Sequence, residues 1–403
     1  MLLARHRDRA KSRNNSAAGF PRSFRIGHQA AAAAGFLKSF RIGHRTAAAA
    51  GFLKSFRNGH QTAAAAAFLA AGAIALLPAG TASAQNVSKS GTTAGEFLQI
   101  GIGARATALG GAFVAAADDA TALYWNPAGL SHLLQGEAIA AHSEWLADVN
   151  FDYLGVSIPA GALGTFGVSL TMLNVPEMLV RTEDRQEGTG ETFDAADMAV
   201  GLSLGRAVTD RFSVGVTAKF IQQRIWHSTA TGFAVDLGTQ FRTDFFGGLT
   251  IGAALYNFGT DMRLNGRDLR TFVDPDPRQL GNNDRVPVNY ELDSWSLPLN
   301  FQIGVSTLPI NTRMHRLMLA VDALHPSSNY ESVNAGLEYG YQERFFLRGG
   351  FQSFFLQDAE GGLSGGIGVH QPMFYGGEIR LDYAYRTAGR LNGVHVISLA
   401  VTF

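Results

Sequence analysis

The sequence predicts an all-β fold: a 14-stranded antiparallel transmembrane outer-membrane β-barrel with a short N-terminal plug or hatch segment. Three observations predict it. Segments of roughly nine to twelve residues with period-2 alternation recur from about residue 136 to the last residue. The number of these segments is even, and the long connections follow only odd-numbered segments. No apolar stretch long enough for a spanning helix occurs in the same part of the chain.

The composition excludes several classes of protein. The 47 glycines and the 16% charged residues depart from average soluble proteins, which hold ~7% glycine and ~25% charge. Because the chain has no cysteine, disulfides and cysteine-ligated metals are excluded. Residues 1–84 hold 12 basic residues and one acid, which leaves 21 of the 33 basic and 32 of the 33 acidic residues for the rest. This net charge of −11 excludes a general nucleic-acid binder, since phosphate contacts need a basic surface.

Residues 1–84 are predicted to be a leader for export that is removed. An apolar run from Thr62 to Leu77 follows a basic region and precedes small residues, as in a secretory signal peptide. We expect cleavage after Ala84, which leaves 319 residues. The basic region contains three repeats spaced sixteen residues apart: Ser23–His28, Ser39–His44 and Ser55–His60.

Residues 85–135 are predicted to form the N-terminal hatch. Asn126, Pro127 and Gly129 indicate a turn that reverses the chain into the first strand. Asp118 and Asp119 are adjacent carboxylates without further metal ligands nearby in sequence, which favours a helix cap or a solvated turn over a metal site. No catalytic triad motif or zinc motif occurs, so we expect no enzyme activity, no cofactor and no metal.

Residues 136–403 are predicted to form the barrel. Alternating segments of this length suit tilted membrane strands of ~9–11 residues better than the ~5–6 residues of strands in soluble sheets. The first and last strands must pair, because an open sheet edge in hydrocarbon costs several kcal/mol for each unpaired backbone group. The fourteen strands are predicted to start near residues 136, 150, 164, 195, 210, 231, 247, 297, 314, 331, 343, 362, 375 and 393.

The connections distinguish a membrane barrel from a soluble sandwich, whose strands also alternate. Long polar connections, at 174–194 and 259–296, follow the third and seventh strands, whereas the connections after even strands are tight. This parity predicts a bacterial outer-membrane protein with a periplasmic N-terminus and long loops outside. The alternating apolar residues at the C-terminus are predicted to be the insertion signal for the barrel-assembly machinery: Ile397, Leu399, Val401 and Phe403.

Charged residues near the C-terminal end of the barrel are predicted to face the lumen. Each Arg that faced lipid at mid-depth would cost ~2–4 kcal/mol, which fixes the inward orientation. An ion-pair network that fills the barrel is favoured over a path for a substrate. The predicted residues are Asp322, Glu338, Arg344, Arg348, Glu378, Arg380, Asp382 and Arg386.

Residues 103–130, GARATALGGAFVAAADDATALYWNPAGL, resemble the N-terminal signature of the PorV/PorQ family of outer-membrane proteins. That family is itself similar to FadL-type transporters. The resemblance implies a fourteen-stranded barrel whose N-terminal segment partly plugs the lumen. It also implies a role in type IX secretion, in which PorV-like members bind the C-terminal signal domains of secreted cargo and pass the cargo to the surface-attachment machinery. The implied partners are outer-membrane lipid, cargo C-terminal domains and type IX secretion components.

A FadL-like transporter of hydrophobic small molecules is the alternative function. It would need an apolar pocket under the N-terminal segment and a lateral opening at a kinked strand. The loop from Asp261 to Ser296 is too long for a turn and is either a docking surface for cargo or a solvated loop.

Overall fold

The computed structural model describes residues 91–403, apart from positions 277, 279, 280, 282, 284, 357, 358, 360, 361, 374 and 375. The predicted leader and its cleavage site lie outside the described residues. Within the described part of the chain, no helix has the length and apolar character needed to cross a membrane.

Fourteen antiparallel strands form one closed sheet, so the predicted fold class is confirmed. Each strand begins within three residues of its predicted start. The strands are β1 (Glu137–Glu144), β2 (Asn150–Pro159), β3 (Thr165–Leu179), β4 (Thr192–Ala207), β5 (Phe212–Ile225), β6 (Ser228–Thr243), β7 (Leu249–Gly259), β8 (Asn300–Asn311), β9 (His315–Pro326), β10 (Ser332–Tyr341), β11 (Phe345–Phe354), β12 (Leu363–Pro372), β13 (Glu378–Ala388) and β14 (Leu391–Thr402).

The first and last strands close the barrel. All eight residues of β1 pair with β14, from Glu137 opposite Thr402 to Glu144 opposite His395. Every other strand pairs with its neighbours in sequence. We call the end of the barrel where odd-numbered strands finish the loop end, and the opposite end the turn end.

The outward side chains form an apolar surface around the sheet. In β14, Ile397 and Leu399 are 51% and 47% exposed, whereas Val396 and Ser398 are 2% and 3% exposed. The same alternation recurs in β6 and β9. A continuous exposed apolar surface is stable in acyl chains rather than in water. The predicted insertion signal therefore lies on the outward face of β14 and at its end, and its recognition by the assembly machinery remains a prediction.

We expect Leu399→Arg to lower the free energy of unfolding by ~2–4 kcal/mol in a lipid bilayer, because the guanidinium would face hydrocarbon. Leu134→Arg is the control, since Leu134 is 94% exposed and lies before β1. The control is expected to change stability by no more than ~0.5 kcal/mol. Urea titration of protein folded in vesicles measures both values, and equal effects would contradict the outward orientation.

Two connections differ from the prediction. β3 and β4 continue their pairing to Leu179 opposite Thr192, so the predicted loop 174–194 shrinks to residues 180–191. The long connection after β7 contains a short hairpin of Arg270–Val273 and Val286–Asn289, and Asn265–Gly266 pairs with β6. Backbone pairing continues at the loop end because hydrogen bonds within a hairpin remain favourable beyond the bilayer.

Residues 91–135 are here called the plug, and their central part, residues 101–130, lies buried inside the barrel. Their largest apolar side chains pack together and are buried, among them Ile102, Leu109, Phe113 and Leu123. The plug contains α1 (Ala104–Ala108), α2 (Ala122–Trp125) and the 3-10 helices Glu96–Gln99 and Pro127–His132. The connections hold four further 3-10 turns, at Leu146–Asp148, Gly161–Leu163, Phe245–Gly247 and Arg267–Leu269.

Inward-facing glycines allow the plug backbone to touch the barrel wall. A Cβ on Gly336 would lie 2.5 Å from the carbonyl oxygen of Leu109, and a Cβ on Gly252 would lie 2.5 Å from that of Val114. This close approach explains why glycine occupies these wall positions. The wall glycines whose Cβ would meet the plug backbone include Gly205, Gly215, Gly252, Gly336 and Gly350, and Gly238, Gly304 and Gly366 would meet side-chain atoms of the plug.

The predicted turn at Asn126, Pro127 and Gly129 is an anchor of the plug instead of a reversal into β1. Asn126 is fully buried, and its Nδ2 donates to the carbonyl oxygens of Val114 at 2.8 Å and of Thr239 at 3.1 Å. Pro127 begins a 3-10 helix that lies against the wall glycines of β4 and β5. Asn126 Oδ1 also accepts a hydrogen bond from the backbone N–H of Ala128 at 3.1 Å, and the burial of this local turn depends on contacts that are distant in sequence.

Candidate functional site

A buried ion cluster ties the plug to the wall near the turn end. Glu338 of β10 is 0% exposed and lies at its centre. Its carboxylate accepts hydrogen bonds from Arg105 Nε at 2.9 Å, Arg316 Nη2 at 2.8 Å and Arg348 Nε at 2.6 Å. Three guanidinium groups therefore share one carboxylate, and further acids are needed to balance the charge.

The remaining acids come from the plug and from neighbouring strands. Arg105 Nη1 also pairs with Asp118 at 2.6 Å and with Asp119 at 2.9 Å. Burial alone would raise the pKa of the Asp118 carboxyl, but the Arg105 guanidinium holds it below its usual value. Arg348 pairs with Asp382 at 2.5 Å. Because Arg105 belongs to the plug and Glu338 to the wall, the cluster joins two parts of the molecule.

The structure brings together four of the predicted lumen residues near this cluster. Glu338, Arg348 and Asp382 are linked by ion pairs, and Arg380 pairs with Glu137 of β1. Glu378 is half-buried at the edge, with its Oε1 4.0 Å from Nδ1 of His370. The sequence analysis missed Arg105, Arg316 and Glu137. Arg105 and Glu137 are each followed by apolar or small residues, whereas Arg316 follows Arg313 and His315 and carries no such signal.

Arg344 does not face the lumen, so its predicted orientation is wrong. It lies exposed in the turn between β10 and β11, one residue before β11 begins, and β11 starts too late to turn its side chain inward. Asp322 does face inward but stands apart from the ion cluster. Its Oδ2 accepts hydrogen bonds from the backbone N–H groups of Phe113 at 2.6 Å and Val114 at 2.9 Å. Asp322 is therefore a second anchor for the plug.

A cavity of about 140 Å³ lies between the plug and the loop-end halves of the strands. Tyr124 and Trp125 of the plug form part of its lining. Side-chain amides of Asn300 and Asn334 line the wall. The lining is therefore a mixture of aromatic and amide groups, which differs from the purely apolar pocket that the transporter alternative predicted. Arg386, the last of the predicted lumen residues, also lines this cavity.

A largely apolar vestibule lies under the long connection after β7. It has a volume of about 450 Å³, and its apolar lining includes Met262, Leu264, Leu292 and Trp295. Three polar side chains also line it: Thr93, Gln223 and Asp293. Backbone hydrogen bonds of 2.8 Å in both directions between Met262 and Trp295 hold the two arms of the connection together. The vestibule also touches Ala94 at the start of the plug, so it lies at the loop-end side of the lumen.

Register shifts interrupt the wall at three places where it lines the cavity. The pairing of β6 with β7 shifts register next to Asn257, which has a φ of 59°. The pairing of β10 with β11 shifts next to Ser353, which has a φ of 63°. Both residues line the cavity. A third shift, in the pairing of β13 with β14, lies next to Arg386, which also lines the cavity. Bulges end regular pairing and bend a strand, so the described wall around the cavity is irregular at these three places.

These features define a plugged, closed transmembrane β-barrel with a small cavity on its loop-end side. Residues 69–261 match the profile of a family described as Uncharacterised protein family (UPF0164). The comparison with curated proteins finds no match.

Several solved barrels have a similar fold. The Pseudomonas putida toluene transporter TodX is 12% identical, with 75% of this chain and 97% of that chain covered and a TM-score of 0.47. The CymD monoaromatic hydrocarbon channel is 11% identical, with 75% and 97% covered and a TM-score of 0.48. A FadL homologue from Pseudomonas aeruginosa is 14% identical, with 74% and 96% covered and a TM-score of 0.45.

Proposed function

We propose that this protein carries small, largely hydrophobic molecules across the outer membrane, entering at the loop end. The observation that carries the proposal is the largely apolar vestibule at the loop end, on the same side of the plug as the cavity of about 140 Å³. Binding of an apolar molecule is favourable because the apolar surface that leaves water lowers the free energy by roughly 25 cal/mol for each Å² buried. The vestibule would collect such molecules, and the cavity would hold one at a time.

Because the ion cluster lies between the cavity and the turn end, we expect these molecules to leave laterally through the barrel wall. A straight path to the turn end would cross Glu338, Arg105 and Arg348, and removing the water or partners of such buried charges is costly. The register shifts at Asn257, Ser353 and Arg386 are irregular places in the wall beside the cavity. An exit at any of these places would deliver the molecule to the membrane without disturbing the cluster.

We expect Leu264→Glu to reduce uptake of radiolabelled toluene at least tenfold in cells that carry the protein in their outer membrane. The new carboxylate would stand in the vestibule, where Leu264 is half-buried among apolar side chains. Phe272→Glu is the matched control, because Phe272 is 59% exposed on the same connection and does not line the vestibule. Equal uptake by the two variants, or no uptake by the unaltered protein, would contradict the proposal.

The cargo-binding function of the PorV/PorQ resemblance is the second candidate. One observation favours it: the hairpin in the long connection exposes apolar and aromatic side chains, including Phe272, Val288 and Tyr290. Exposed apolar side chains of this kind often mark protein contacts. Deletion of residues 262–292 is then expected to abolish the capture of isolated C-terminal signal domains in a pull-down. Undiminished capture would reject docking on this hairpin.

A further inference from the structure

We propose that the cavity above the plug selects organic anions the size of a single aromatic ring, and that Arg386 binds their carboxylate. The inference rests on the proposed function and names the class of molecule that the cavity favours. It depends on the charge state of the lumen, on the free donors of Arg386 and on the size and lining of the cavity.

Arg386 has no carboxylate partner among the described residues, whereas most other lumenal cations have one. Arg105, Arg316 and Arg348 share Glu338, Arg380 pairs with Glu137, and Lys219 pairs with Asp236 at 2.5 Å. Arg386 has no ion pair with any described carboxylate, although it is half-buried. A buried cation without a partner is unfavourable unless an anion visits it. Arg242 of β6 is likewise half-buried without an ion pair to a described carboxylate, but it does not line the cavity. Arg386 does line it, so its guanidinium indicates a binding position.

The surroundings of Arg386 hold its guanidinium in place and leave donors free. One face lies over the ring of Trp145, with the guanidinium carbon 4.8 Å from the ring centre. Nη1 donates one hydrogen bond, of 2.9 Å, to Gln352 Oε1. A guanidinium has five N–H donors, so others remain for a ligand. A planar guanidinium fixed in this way suits the two-point binding of a carboxylate.

The rest of the cavity fits a small ring. Its volume of about 140 Å³ is close to the ~150 Å³ of an engineered cavity that binds benzene. Tyr124 and Trp125 offer aromatic surface, and no Asp or Glu is among the described residues of the lining. Asn300 Oδ1 is buried there without a hydrogen-bond partner among the described residues, so a ligand with a hydroxyl donor would satisfy it. A neutral hydrocarbon would leave both Arg386 and Asn300 unused.

The test is calorimetric titration of the purified barrel in an uncharged detergent with benzoate and with benzyl alcohol. We expect benzoate to bind at least tenfold more tightly than benzyl alcohol. Arg386→Gln is expected to reduce that ratio to near one, whereas Arg344→Gln, in the exposed turn, is expected to keep it. A ratio near one in the unaltered protein, or an unchanged ratio in R386Q, would overturn the proposal.

Heat-dependent mobility on a gel shows whether R386Q folds. If it does not fold, a second variant tests the same proposal. Asn300→Asp places a negative charge in the same lining, and we expect it to weaken benzoate binding about tenfold. Wild-type affinity of N300D for benzoate would overturn the anion site. Toluene uptake without any preference for benzoate would reject this inference alone. Selective benzoate binding without uptake of any ring compound would reject the proposed transport and leave the anion site standing.

Discussion

Replacing Glu338 with Gln is expected to lower the free energy of unfolding by ~3–5 kcal/mol, because the change leaves buried guanidinium groups without their shared carboxylate. Glu338 is 0% exposed and accepts hydrogen bonds from Arg105, Arg316 and Arg348. Gln keeps the shape and one acceptor oxygen but removes the charge. Urea titration of the barrel in vesicles, followed by tryptophan fluorescence, measures the change.

The matched control is the exposed pair of Arg263 and Glu291, which are joined by a salt bridge of 3.0 Å in the long connection. Surface ion pairs contribute ~0–1 kcal/mol, so Glu291→Gln is expected to fall in that range. The two variants remove the same charge from the same type of residue and differ in burial. If E338Q were no more destabilising than E291Q, the cluster would contribute little to stability.

Gly350→Val is expected to displace the plug and to lower the free energy of unfolding by about 3 kcal/mol, the upper part of the usual range for overpacking. A Cβ on Gly350 would overlap the backbone of Leu109 and Gly110, and backbone cannot rotate away as a side chain can. A displaced plug would also open the lumen, so we expect ion conductance in planar bilayers that the unaltered protein lacks.

Gly349→Val is the control, on the adjacent residue of the same strand. A Cβ on Gly349 would have no heavy atom within 4 Å, because Gly349 faces outward. Its effect is expected to stay within ~0.5 kcal/mol, without conductance. If G350V were as stable as the unaltered protein and did not conduct ions, the plug would accommodate the added side chain without being displaced, which would contradict the prediction.

The strands could be predicted from the sequence because membrane strands are long and alternate. Even β1 and β2, whose outward faces carry His142 and Asp152, begin at their predicted positions. The extent of β3 and β4 beyond the predicted boundary could not be read, since Glu177 and its neighbours are exposed and do not alternate. The length and the period-2 alternation of the segments predict the barrel, whereas hydrophobicity predicts only the part of each strand that contacts lipid.

The site was predictable only in part. Glu338, Arg348 and Asp382 could be predicted because a charged side chain that faces lipid near mid-depth is costly, so charged residues in the middle of a membrane strand face inward. Arg105 could not be predicted because the plug sequence has no regular hydrophobic periodicity from which the orientation of a side chain could be inferred. The cavity could not be predicted either, since Asn300, Asn334 and Arg386 come from three strands and meet only when the barrel closes. Contacts of that kind are set by tertiary packing rather than by local pattern.

The pairing of β1 with β14 determines when the barrel can close during folding. Partners in this pairing are about 250 residues or more apart, as Glu144 and His395 are. The barrel cannot close until β14 has been synthesised. Until then, the backbone N–H and C=O groups at the edge of β1 lack their partners in β14. Loop-closure entropy over such distances makes pairing slow. Escort by a holding chaperone until the final strand arrives would prevent that edge from aggregating.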